Sequence, residues 1–94
     1  MVVVKKYWSN NNLKREIPYK EGLKHGLECE YNRLGVLIAS VEYCEGLSDG
    51  YVTLYRENGT VEERTQYKNG IKQNNSFIND TFVDECMVLE KRHF

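Results

Sequence analysis

Alanine is all but missing from this chain: Ala39 is its single copy. Alanine is the strongest helix former, so its scarcity argues against a helical bundle. Charge of one sign is missing too. Thirteen Lys and Arg stand against fourteen Asp and Glu, for a net charge of −1. No basic surplus draws nucleic acid or an anionic membrane, and no acidic tail draws a basic partner. Cysteine is scarce and odd in number (Cys29, Cys44 and Cys86), with no C-x-x-C pair. That is a poor disulfide framework and a poor zinc site, and free thiols in a reducing cytosol are expected. Long hydrophobic runs are missing as well. The opening MVVVKKYWS has three consecutive apolar residues after Met1, too few for a signal-peptide core or a membrane span. The expected location is therefore the cytoplasm.

Catalytic chemistry is equally thin. His25 and His93 are the only histidines. His25 falls in a repeated loop and reads as loop filler, because no ligand-type spacing surrounds it. His93 lies next to the chain end, where a paired catalytic role with Cys86 would need an unusual fold. Glu28/Glu30 and Glu62/Glu63 read as solvent-facing charges rather than a general acid–base pair. The glycines are single and spaced, so no phosphate-cradling loop is present. No catalytic residue, metal site or cofactor is expected.

Tyrosine is abundant, with seven copies among 94 residues. Its apolar ring and polar tip suit half-buried sheet surfaces. The tyrosines are also periodic. Tyr7, Tyr31 and Tyr55 are spaced by 24, and so are Tyr19, Tyr43 and Tyr67. Gly22, Gly46 and Gly70 keep the same step, each followed by an aliphatic residue. Gly35 and Gly59 keep it with Asn11 in the first copy, and Leu13, Leu37 and Val61 form a further column. Self-similarity at a fixed period signals a repeat architecture. One domain spans 1–94, with units at about 7–30, 31–54 and 55–78 and a non-repeating tail at 79–94.

Each unit reads as strand, tight turn, strand and a longer loop. Glu57-Asn58-Gly59 suits a three-residue hairpin loop with a glycine bulge, which sets Tyr55 opposite Val61. By period-2 alternation Leu37, Ala39, Val41 and Tyr43 share one face. The six repeat tyrosines are expected as core. The fold class is all-β: a single-layer antiparallel meander of three 24-residue hairpins, with a short C-terminal segment packed on it. Residues 82–89 suit either a helix, capped by Asn79, Asp80 and Thr81, or a strand.

The spacing Tyr-x3-Gly-x7-Tyr-x2-Gly-x3-Gly from Tyr31 to Gly50, with the strings YKEGLKHG, YRENG and YKNG, resembles MORN-type repeats. The likeness is nearest to the bacterial YwqK-like variant of antitoxin-component proteins and covers about residues 7–76. The resemblance implies a row of β-hairpins in one elongated twisted sheet. It also implies a scaffold or binding role, extending to an antitoxin or immunity role.

On the face expected opposite the tyrosines, units one and three carry Lys14, Glu16, Glu62 and Arg64. Unit two carries Val36, Ile38, Val52 and Leu54, and such an apolar patch marks a candidate protein-binding site. The leading expectation is a non-enzymatic protein-binding module whose partner is another protein, a toxin among the options. The alternatives are a homo-oligomeric scaffold built on an open edge at Val2–Tyr7, and a phospholipid-binding module. Without a Lys/Arg cluster the membrane is the weaker expectation, and no nucleic-acid partner is expected.

Overall fold

Eight strands account for most of the residues described by the computed structural model, 1–73. They are β1 (Val2–Tyr7), β2 (Leu13–Lys20), β3 (Leu23–Lys24), β4 (Gly26–Tyr31), β5 (Leu37–Cys44), β6 (Leu47–Tyr55), β7 (Val61–Lys68) and β8 (Ile71–Lys72). All join one open antiparallel sheet in the order β1-β2-β4-β5-β6-β7-β8, with β3 also paired to β2. The expected all-β hairpin meander is therefore the fold. The tail at 79–94, and with it the choice between helix and strand, lies outside the described residues.

The 24-residue step is a physical translation from strand to strand. Strands β2, β5 and β7 start at Leu13, Leu37 and Val61, and β1, β4 and β6 end at Tyr7, Tyr31 and Tyr55. The pairing repeats with them: Val4↔Ile17, Glu28↔Val41 and Val52↔Thr65. At the hairpin tips Gly35 and Gly59 take φ of 91° and 92°, and Asn11 substitutes at 73°. Asn tolerates that left-handed geometry better than most residues. The second reversal is shorter than a loop. Glu45 and Gly46 form a two-residue turn with φ positive at both positions, the I′ form that matches strand twist. Glu21–Gly22 and Asn69–Gly70 do the same.

These turns also stack. The Gly46 N–H donates to Lys24 O at 2.8 Å, and the Gly70 N–H to Ser48 O at 2.7 Å. Leu23 and Leu47 stay half-exposed and cover the turn glycine of the next unit.

One expectation about faces fails. Glu30 pairs with Ala39, but Tyr31 pairs with Leu37, so Ile38 is an extra residue on β5. Lys14 and Glu62 are the equivalent extras on β2 and β7. Such a bulge resets the alternation at the turn end of each hairpin. Leu37 thereby leaves the face of Ala39, Val41 and Tyr43. The two tyrosine columns separate too. Tyr43 pairs opposite Gly26 on the Val41 face. The Tyr31 hydroxyl reaches Glu16 on the other face, the face of Cys29. The tyrosines are half-buried at most sites and Tyr7 is exposed, so they line both surfaces rather than forming one core. Among the described residues the buried hydrophobic side chain is Ile17, 3% exposed. An open sheet of marginal hairpins holds together by lateral pairing of successive units.

Candidate binding surface

The hairpin tips of the first two units lie side by side and build a polar scaffold around the sole tryptophan. Trp8 opens the first turn, with its N–H donating to Asn12 O at 2.9 Å. Asn32 opens the second, where its Oδ1 accepts from Leu34 N at 2.9 Å and Val36 N at 3.0 Å. A short polar side chain that satisfies turn amides in this way fixes the loop without a core. The two turns are then tied together. The side-chain amides of Asn10 and Asn12 both donate to Arg33 O, at 3.1 and 2.7 Å. The Trp8 indole N–H donates to Tyr31 O at 3.2 Å.

The result is an open cavity of about 430 Å³ lined by Trp8, Glu30, Asn32, Arg33, Leu34 and Ile38. Arg33 sits 4.7 Å and Lys14 4.6 Å from the centre of the Trp8 ring. Both cations are therefore steered by the ring's negative face. Leu34, at the tip, is 83% exposed. Ile38, the bulge residue, supplies an apolar wall because the bulge turns it toward the face of Glu30. Trp8 escaped sequence reasoning. The one signal was a broken column, since its equivalents 24 and 48 residues on are Asn32 and Arg56.

The expected patch of Val36, Ile38, Val52 and Leu54 is distributed differently. Val52 pairs with Val41, and Leu54 with Ala39. Both therefore stand on the Tyr43 face, not opposite it. Ile38 joins them beside Ala39, while Val36 closes the turn below Asn32. Whether the tail covers the patch lies outside the described residues.

Two polar clusters stiffen the neighbouring strands. On the Tyr43 face Glu28 accepts from Lys24 at 2.9 Å and lies 3.6 Å from Arg15. The Glu28 hydrogen bond holds the Lys24 ammonium above its ordinary pKa. On the other face the Tyr31 hydroxyl donates to Glu16 at 3.0 Å. Burial and that bond push the Tyr31 phenol up to about 12. Burial, then the nearby Glu16, pushes the Cys29 thiol up, which makes it a poor nucleophile.

His25 is not loop filler. It is 5% exposed, and its Nδ1 accepts from the Glu45 N–H at 3.3 Å, so it braces the next unit's turn. Cys29 is a free thiol. Among the described residues no group of three His, Cys, Asp or Glu is placed to hold a metal.

The family model for the MORN repeat variant matches residues 2–21 and 48–69. These two stretches of the chain are similar to MORN repeat variants. The two matched MORN segments are the β1–β2 and β6–β7 hairpins, and the hairpin between them repeats the same pairing 24 residues along. The MORN repeat is a non-catalytic module, generally one that binds proteins or membranes. No curated protein and no solved structure matches the chain.

Proposed function

We propose that this MORN module binds another protein through the turn end around Trp8, Arg33, Leu34 and Ile38. The observation that carries the reading is Leu34, an aliphatic side chain held 83% exposed beside the tryptophan-floored cavity. Rigid turns pre-organise it, so docking a partner there orders little that is not already ordered. Tryptophan and arginine in one cavity are the residue types that dominate interface energetics. A toxin-neutralising role for that partnership is supported by the YKEGLKHG and YKNG strings alone.

The test is affinity capture of native partners by the full chain, repeated with Leu34→Asp, Trp8→Ala and Val61→Asp. Leu34→Asp and Trp8→Ala should lose a partner that Val61→Asp retains, since Val61 is exposed away from the cavity. Equal capture by all three variants rejects the surface. Sedimentation with anionic and neutral vesicles separates the membrane alternative. Anionic-selective binding abolished by Arg33→Ala with Lys14→Ala would replace the protein-binding reading.

A further inference from the structure

Strand β1 ends the sheet, and among the described residues no strand pairs with its outer side. All six of its residues are exposed, and Val2, Val3 and Val4 are contiguous. Edges of this kind are usually blunted by proline, a bulge or charge. Between Val2 and Lys6 the register against β2 is unbroken, and β1 itself holds no proline, since Pro18 stands on β2 opposite Val3. The charge that remains is Lys5 and Lys6, and Lys5 lies 4.0 Å from Glu16.

We propose that β1 pairs antiparallel with β1 of a second copy, about a twofold axis through Val4 perpendicular to the sheet. Three constraints select this arrangement. Directly opposed residues must share a face, so shifting one copy by a single residue would set the apolar face of one copy against the polar face of the other. Centring on Lys5 would oppose two ammonium groups, which is destabilising. Centring on Val3 would leave Lys6 and the end of the strand unpaired. Centring on Val4 sets Val2 opposite Lys6, Val3 opposite Lys5 and Val4 opposite itself. Val4 is already the neighbour of buried Ile17. Pairing therefore creates an unbroken apolar row, Ile17–Val4–Val4–Ile17, across the junction. This edge does not include the Trp8 cavity, so self-pairing and partner binding stand or fall separately.

Sedimentation equilibrium of the full chain over a concentration series tests the pairing. The expected result is a reversible monomer–dimer equilibrium. Val4→Lys places two ammonium groups at the axis and should shift the chain to monomer with an unchanged far-ultraviolet spectrum. Val3→Glu places a carboxylate opposite Lys5 twice per dimer and should tighten the dimer about fivefold to tenfold. A reversible gain in dimer, with an unchanged far-ultraviolet spectrum, is not explained by misfolding. In parallel, Val4→Cys should form an intermolecular disulfide under mild oxidation, because opposed Cα atoms lie within bridging distance. Lys6→Cys, opposite Val2, should not exceed the wild-type background. A wild-type chain that stays monomeric to its solubility limit, a Val3→Glu variant with unchanged association, or equal crosslinking at Val4 and Lys6 overturns the proposal.

Discussion

The amide of Gly70 lies 2.7 Å from the carbonyl oxygen of Ser48, one repeat after Gly46 makes the same bond to Lys24. The I′ turns at Gly46 and Gly70 thus close their own hairpins and also bond to the strand of the preceding unit. That lateral bond links hairpins that would be marginal alone, and Gly46 in the turn and Gly50 within β6 are sensitive for different reasons.

Gly46→Ala and Gly50→Ala should differ in severity. A Cβ on Gly46 meets Leu23 Cδ2 at an ordinary 3.5 Å, so the cost comes from its φ of +91°, about 1–2 kcal/mol. A Cβ on Gly50 falls 2.9 Å from Glu42 Cδ, and that carboxylate already accepts from the Tyr51 N–H at 2.8 Å. Relief of the clash breaks the bond. Urea unfolding should therefore rank Gly50→Ala as the more destabilised, with the order reversed only if Glu42 can swing away without loss.

Stability above neutral pH should depend on Tyr31. Its folded pKa of about 12 lies above the ordinary value of 10.0, so the folded state holds this proton more tightly than the unfolded chain. The contribution is fully present below pH 10 and is lost as pH rises toward about 12. Tyr31→Phe cannot titrate and should flatten the fall in urea midpoint over that window. An identical pH profile for both proteins would show that burial and the Glu16 bond do not hold the Tyr31 proton in solution.

Ile17→Ala should cost about 2–5 kcal/mol, the range for emptying a buried aliphatic site. Val61→Ala, at an exposed position, should change stability by no more than about 0.5 kcal/mol. Comparable losses at the two sites would mean that Ile17 is not the packing centre.

Arg33→Ala should leave the turn scaffold standing, because Asn10 and Asn12 bind its backbone carbonyl rather than its guanidinium. The expected loss is about 0.5–1 kcal/mol from the cation–π contact. Trp8 emission, unambiguous in a chain with one tryptophan, should shift to the red as water replaces the guanidinium. A large stability loss without a spectral change would contradict this division of roles.

The architecture was legible because its signals are single-residue requirements. A left-handed turn position selects Gly35, Gly59 or Asn11 whatever surrounds it, and the 24-residue spacing follows directly. The hairpin loop was legible too, since Tyr55 opposite Val61 is the observed pairing. The faces were not. The extra residues Lys14, Ile38 and Glu62 share no chemistry, because a bulge needs room rather than a particular side chain. Unbroken alternation therefore set Leu37 and Val52 on the wrong surfaces. The Trp8 cavity was hidden for a related reason. It forms where neighbouring turns differ, and a search for columns looks for sameness.

The reset of alternation at every bulge divides each hairpin into two regions under different constraints. At the glycine end, stacked turns demand the same geometry from unit to unit, and Gly22, Gly46 and Gly70 supply it. At the far end the bulge absorbs any mismatch, and Trp8, Asn32 and Arg56 occupy equivalent sites with no common property. One rim of the sheet is thereby kept as a hinge-like spine of constant pitch. The opposite rim is free to vary its chemistry hairpin by hairpin without disturbing the spine.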